Sequence, residues 1–257
     1  MGEKRDSASC ALTGLQDELV RAVHSTGTPV VVVLINGRPL AVPWIAENIP
    51  AVIEAWMPGE FGGTAIAEIL FGDCNPSGKL PITFPRHAGQ IPVFYDYKPS
   101  KRMRMFGTGY VDMPSFPLWQ FGHGLSYTQF EYSGLRITPK VVPAGGNVSV
   151  SLTIKNTGNR EGIETAQLYL SDDIASVTVP VRSLRGFQRV RLKKGESRRI
   201  RFGLTEKDMS LLDADLKRVC EPGTFTVMVG SSCEDIRLKG KFECQSPRIF
   251  TPFIKVW

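Results

Sequence analysis

A chain of 257 residues, 42% hydrophobic and 22% charged, has the composition of an ordinary globular protein, long enough for two modest domains and too apolar for a disordered tail. The longest apolar run, PVVVVLI at 29–35, is far short of the ~20 residues that span a bilayer, and MGEKRDSASC has neither the apolar core of a signal peptide nor a myristoylation pattern. The net charge of +6 is unevenly placed, with 10 Lys+Arg against 11 Asp+Glu through Leu125 and 21 against 14 from Ser126 onward.

The first half alternates helical and strand patterns. TGLQDELVRAVHSTG (13–27) places Leu15, Leu19, Val20 and Val23 on one helical face, with Thr13 as N-cap and Gly27 just past the end. VVVVLI then reads as a fully buried strand of the parallel-sheet kind. NIPAVIEAWMPGE reads as a short helix or turn feeding a strand closed by Pro58, and GGTAIAEILFGD as a second helix facing inward through Ile66, Ile69 and Leu70. Trp44 and Trp56 are expected to pack inside this unit. Two helix–strand units of this sort imply α/β layering.

From about Phe121 the grammar changes to short alternating strands: FGHGLSYTQFEYSGLRITPK, NVSVSLTIKNTGN, GIETAQLYLSDD, FQRVRLKKGES, RRIRFGLTE, GTFTVMVGSS and DIRLKGKFEC. Some seven strands at spacings near ten residues are the pattern of a β-sandwich. NTGN (156–159) and KKGES (193–197) are expected as hairpin turns, because Asn and Gly accept positive φ at little cost. The basic stretch 181–204 has the charge of a nucleic-acid surface, but Val190 and Leu192 interleave with Arg189, Arg191 and Lys193, and Ile200, Phe202 and Leu204 with Arg199 and Arg201. That alternation puts the charges on the outer faces of two strands, with no aromatic residues among them to stack on bases, so no nucleic-acid partner is expected.

Few residues carry chemistry. The five cysteines form no CxxC pair and lie far from the three histidines, so no metal site is expected and the thiols read as small buried hydrophobes in preference to a disulfide framework, with one or two bridges left open. Asp172 and Asp173 are adjacent and point to opposite faces of a strand, a poor arrangement for paired acid/base work. GEFGG (59–63) lacks both GxGxxG and GxxxxGK[ST], so Gly59, Gly62 and Gly63 read as a tight turn with close packing in preference to a phosphate cradle. No cofactor is expected. GDCNPSGKLPITFPR (72–86) then combines an Asn-Pro-Ser-Gly turn with a short apolar strand between Pro81 and Pro85, which no nucleotide fold requires.

With those motifs in view, VVVLINGRPLAVPWIAENIPAVIEAWMPGEFGGTAIAEILFGDCNPSGKLPITFPRHAGQIPVFY resembles the C-terminal α/β sandwich domain of glycoside hydrolase family 3, the β-glucosidase and β-xylosidase family. PLWQFGHGLSYTQFEYSGLRI resembles the family's connector, and the strands from Val148 to Ser232 resemble its fibronectin type III-like domain. The resemblance implies an α/β partial sandwich (1–95), an aromatic, Gly- and Pro-rich connector (96–129), an all-β immunoglobulin-like, fibronectin type III-like sandwich (130–247) and a C-terminal tail (248–257).

It also implies a retaining β-glycosidase, foremost a β-glucosidase, acting on terminal β-linked sugars of oligosaccharides or aryl glycosides through two carboxyl groups roughly 5 Å apart. In the family the nucleophile is an Asp of an N-terminal (β/α)8 barrel, a fold of about 250 residues that these 257 do not contain. The usual acid/base Glu aligns ahead of Met1, and Glu3 falls on a second Glu often seen nearer the first helix, which makes it the one catalytic candidate here. In the connector, Arg104, Phe106, Tyr110 and Trp119 are candidates to stack on a pyranose ring or bond its hydroxyls. Trp119, Phe121 and Tyr127 also lie in the part resembling the interdomain hinge, where core packing is expected, and His123 reads as structural.

The chain alone is therefore expected to be inactive, with a sheet edge left uncovered, and to need the missing barrel as partner. The rival reading is a non-catalytic scaffold or carbohydrate-binding module; a homodimer stays open as an assembly. Relatives of this architecture are often periplasmic or secreted, and nothing in these residues fixes a compartment.

Overall fold

The computed structural model describes residues 7–99, 110–143, 145–245 and 248–249. Its first part layers helix α1 (Gln16–Ser25), strand β1 (Val31–Ile35), helix α2 (Pro43–Asn48), strand β2 (Ala51–Trp56) and helix α3 (Gly62–Leu70). β1 and β2 pair in parallel, Val31 opposite Ala51, as a two-stranded sheet. Val32 and Leu34 on one face of β1 bury against Leu40, Val42, Ile45 and Ile49, with Trp44, Val20 and Trp119 closing the cluster.

Three local expectations change here. Thr13 is not the cap of α1: Leu15 holds that position and no side chain caps the helix, although Gly27 ends it in the left-handed region as foreseen. β1 is not buried on both faces, since Val31 and Ile35 are exposed. Of the apolar stripe of α1 only Val20 packs inward while Leu15, Leu19 and Val23 are exposed, and the helix's other contact is His24, whose ring meets Trp44 edge-on at 5.4 Å. Leu15, Leu19, Phe61 and Phe71 are 71, 63, 75 and 84% exposed. Parallel sheets are ordinarily covered on both faces; among the described residues this one is covered on one.

The glycine corner at 59–63 is structural, with Gly59 in the left-handed region at φ 72°. A Cβ on Gly62 would stand 2.5 Å from Pro58 Cγ, whereas Gly63 faces open space and imposes no such constraint.

The remainder is a β-sandwich. β4 (Val141–Val142), β12 (Ile236–Cys244), β11 (Gly223–Gly230), β6 (Gly162–Asp172) and β7 (Ser183–Leu192) form one sheet in that order; β3 (Phe130–Thr138), β5 (Val148–Asn156) and β8 (Ser197–Leu204) form the other. A small sheet of β13 (Arg248–Ile249), β10 (Arg218–Cys220) and β9 (Leu211–Leu212) follows the short helix α4 (Glu206–Met209). Alternation works as the sequence demands: Val190, Leu192, Ile200, Phe202 and Leu204 are buried, while Arg189, Arg191, Arg199 and Arg201 face solvent. Between the sheets lies one continuous core of Leu152, Ile154, Leu168, Val227, Phe225 and Phe242, the last two rings stacked at 5.4 Å.

The two expected hairpin turns are crossovers. NTGN carries the chain from β5 in one sheet to β6 in the other, and KKGES carries it back from β7 to β8. The turn chemistry is as read, with Gly195 at φ 75°, but strand partners are chosen by the core and not by the turn. Both crossovers meet at Asn156, which is fully buried. Its side-chain amide donates to Arg160 O at 2.8 Å and Leu192 O at 3.0 Å, and its Oδ1 accepts from Thr128 Oγ1 and from the Gly158 N–H. Its own N–H and C=O bond Glu196 and Gly195.

Asn156→Ala would leave buried carbonyls, a hydroxyl and an amide without partners, and is expected to destabilise the sandwich by about 2–4 kcal/mol, read from chemical denaturation. Replacing Leu19 and Phe71 by Ser is expected to change stability by no more than about 0.5 kcal/mol each while lowering the fluorescence of a bound hydrophobic dye, because these side chains are exposed. A large loss of stability on either change would show that the face is covered.

Candidate functional site

The densest constellation of polar side chains lies at the seam between the α/β layer and the sandwich. The strand expected between Pro81 and Pro85 is realised only as an isolated bridge, Phe84 opposite Trp119. Around it, Phe84 N–H donates to Trp119 O, Leu118 N–H to Phe84 O, Gly122 N–H to Leu80 O and Leu80 N–H to His123 O, all at 2.8 Å. The NPSG segment is the peg of this joint. Asn75 Oδ1 accepts from Ser126 Oγ and Tyr127 N–H, and its Nδ2 donates to Glu161 O at 3.0 Å in the sandwich. Arg160 reaches back to Gly72 O, and Arg189 to Ser77 Oγ.

Gln167 serves the same joint from β6. Its amide donates to Gly122 O at 3.1 Å and to Ser231 O at 2.6 Å, and its Oε1 accepts from the Tyr169 hydroxyl. Gly122 has φ 79°, and a Cβ there would lie 2.1 Å from Gln167 Oε1. Beside it Tyr95 stacks on Phe121 at 4.2 Å and meets Tyr169 edge-on. Trp119 and Phe121 thus pack as expected; Tyr127 does not, being half exposed, with its hydroxyl donating to Ile69 O and Arg160 above its ring.

Next to this joint opens a cleft of about 750 Å³ lined by Lys79, His123, Tyr132, Glu164, Asp235 and Arg237 together with hydroxyl side chains. Lys79 Nζ donates to Gly124 O at 2.7 Å, and burial lowers its pKa. Burial, and secondly the Lys79 charge, also lower that of His123. Glu164 is buried and accepts from the Tyr132 hydroxyl at 2.8 Å; burial followed by the Glu164 charge raises the Tyr132 pKa far beyond the working range. Asp235 is held below the usual carboxylate range by its bonds from Arg237, whose guanidinium lies 4.9 Å from the Tyr132 ring centroid. Of the three carboxylates that line the cleft, Glu164 is committed to a phenol and Asp235 to a guanidinium, and Glu131 lies on an exposed position of β3.

Of the residues singled out earlier, Glu3, Arg104 and Phe106 lie outside the described residues. Tyr110 is placed over the 3-10 turn Ala88–Gln90, its hydroxyl donating to Gly89 O at 3.3 Å. The cysteines are not all buried, since Cys74 is exposed and Cys10 half-buried. Sequence reasoning missed the seam itself: Asn75, Lys79, Glu164 and Gln167 carry it. Among the described residues no cluster of three or more His, Cys, Asp or Glu could hold a metal ion, and no helix is long and apolar enough to cross a membrane.

With this geometry the chain can be set beside known proteins. Residues 1–127 match the Glycosyl hydrolase family 3 C-terminal domain, and residues 164–233 the Fibronectin type III-like domain. The chain belongs to glycoside hydrolase family 3, of which it carries the C-terminal α/β and fibronectin type III-like parts. It is 46% identical over 241 residues to a beta-xylosidase of Formosa agariphila, covering 93% of this chain and 33% of that protein. To the periplasmic beta-glucosidase of Salmonella typhimurium it is 41% identical, covering 89% of this chain and 30% of that one. The beta-glucosidase of Listeria innocua, solved in complex with glucose, superposes with a TM-score of 0.88 at 38% identity over 95% of this chain and 35% of its own. The chain thus spans about a third of the length of these relatives.

Two predictions test the joint and the acidic end of β6. A Cβ on Gly124 would stand 2.2 Å from the Gly78 carbonyl oxygen, so Gly124→Ala is expected to cost about 2–3 kcal/mol and to speed proteolysis within the α/β layer. At Asp172, desolvation raises the pKa from 3.8 to about 6. The folded state then binds the proton more tightly than the unfolded one, so stability is higher below about pH 4 and falls as pH rises to about 6. Asp172→Asn is expected to leave stability at pH 4 unchanged and to raise it by roughly 1–2 kcal/mol at pH 7.5, measured by urea denaturation at the two pH values.

Proposed function

We propose that this chain is the C-terminal scaffold of a retaining β-glycosidase, foremost a β-glucosidase, which completes and positions an active site whose nucleophile is carried by an N-terminal barrel. One observation carries the reading: the α/β layer exposes Leu15, Leu19, Val31, Ile35, Phe61 and Phe71 on a sheet covered on one face, while the sandwich beside it is a closed core. Exposed apolar area of this extent marks a surface that another structure covers. The commitment of Glu164 to Tyr132 and of Asp235 to Arg237 in the cleft agrees with a structural role for both acids.

The proposal divides the chain at 95, 129 and 247. Within it Glu3 is the acid/base candidate of this chain, and Arg104, Phe106 and Tyr110 are candidates to reach a β-linked oligosaccharide or aryl glycoside. The two acids of such a reaction would act together, one attacking the anomeric carbon while the other protonates the departing oxygen; water deprotonated by the second would then release the sugar and free the first.

The 257-residue chain is expected to show no hydrolysis of p-nitrophenyl β-glucoside or β-xyloside. Fused behind the N-terminal two thirds of the Listeria innocua beta-glucosidase, in place of that enzyme's own C-terminal part, it is expected to restore turnover of the glucoside. Robust turnover by the chain alone, abolished in Glu3→Gln, would overturn the scaffold reading, as would a folded chimera without activity.

A further inference from the structure

Three of the five cysteines are buried in the sandwich, and two of these meet: the sulfurs of Cys220 and Cys244 lie 3.6 Å apart. Cys233 is elsewhere, in the cluster with Tyr169 and Met228 at the seam. The meeting is fixed by backbone on both sides. Cys244 ends β12 opposite Gly223, three residues beyond Cys220, and Cys220 ends β10 opposite Arg248, four residues beyond Cys244. Each cysteine is thus held by the ladder that the other's strand feeds, at the corner where the chain passes from the small sheet into the five-stranded one.

The two sulfurs share one environment. Both belong to the apolar core with Phe225, Phe242 and Met209. Burial pushes the Cys220 thiol up to about 12, which makes it a poor nucleophile and a poor metal ligand once the core is closed. A disulfide has its sulfurs about 2.05 Å apart, so the pair needs to close by roughly 1.5 Å.

We propose that Cys220 and Cys244 are a disulfide-forming pair that a small disulfide such as oxidised glutathione links while the corner is still open during folding. The protein S–S bond forms as the oxidant's S–S bond breaks, the two protein sulfurs are oxidised, and the two thiol protons pass to the oxidant's sulfurs. The cross-link joins residues 24 apart in sequence, closing a loop around the β11–β12 hairpin and tying the end of β12 to β10. Cys10, Cys74 and Cys233 stay as thiols in the expected product.

The test uses the full chain, unfolded with reductant and refolded either in a glutathione redox buffer or in dithiothreitol, then alkylated in denaturant. After the glutathione buffer the expected product takes three alkyl groups in place of five, and cleavage after Lys, Arg and Glu, which spares the Glu221–Pro222 bond, yields peptide 219–234, alkylated at Cys233, linked through Cys220 to peptide 244–248. Its Tm is expected to exceed that of the dithiothreitol product by about 5–10 °C. Cys220→Ser and Cys244→Ser should each abolish the linked peptide and the gain in Tm, whereas Cys233→Ser should keep both. Five alkylated cysteines under both conditions would overturn the proposal, and so would linkage between any other pair. Because the wild-type peptide map is decisive by itself, a serine variant that fails to fold leaves the outcome readable.

Discussion

The whole arrangement rests on one stretch of backbone pairing, in which residues 80–84 lie against 118–123 through four amide hydrogen bonds. These bonds satisfy main-chain groups that would otherwise be buried without partners at the meeting of two layers. They also hold the preceding Asn75 turn against β6 and the following aromatic pair, Tyr95 and Phe121, against Tyr169. A flexible tether would let two domains of this size tumble independently. Here the connector is itself the joint, and the polar cleft beside it follows from that geometry.

The chemistry of the cleft is best understood as the cost of such a joint being met locally. Glu164 and Lys79 are taken largely out of water, which penalises both charges. Each is matched at short range, Glu164 by the Tyr132 hydroxyl and Lys79 by the Gly124 carbonyl. Pairs of this kind contribute little net stability against an apolar replacement, but they tolerate only one relative placement of the elements that supply them. That suits a surface whose task is to present the α/β layer at a fixed angle.

How much of this could be read from residues alone depended on whether a feature is local. The alternation placed Val190, Leu192, Ile200, Phe202 and Leu204 inside and the arginines between them outside, because period-two patterning is decided strand by strand, but it missed Phe187, an aromatic ring exposed among the arginines of β7. The periodicity of α1 predicted the helix, yet not that its leucines face outward, since which stripe is covered depends on elements far away in sequence or beyond it. NTGN and KKGES had the right turn chemistry and the wrong partners for the same reason: Asn and Gly fix how the backbone bends, whereas the core fixes which sheet the next strand joins. The seam residues Glu164 and Gln167 gave no warning because a polar residue in a strand looks like an outward-facing position until its bonding partners are known, and Asn75 read only as part of a turn. The long family motifs were far more specific than any of these signals, and they carried the assignment that composition could not.

One feature of the sandwich reaches further than its architecture. Its core is closed by its own strands, and the α/β layer is attached to it through the connector without contributing to that core. Opening of the molecule is then hierarchical: backbone amides of β1 and β2 exchange with solvent through local events, while those of β5, β6 and β11 wait for the sandwich to come apart as a unit. The carboxyl-terminal half acts as the anchor in time as well as in space, still folded while the layer in front of it opens and closes.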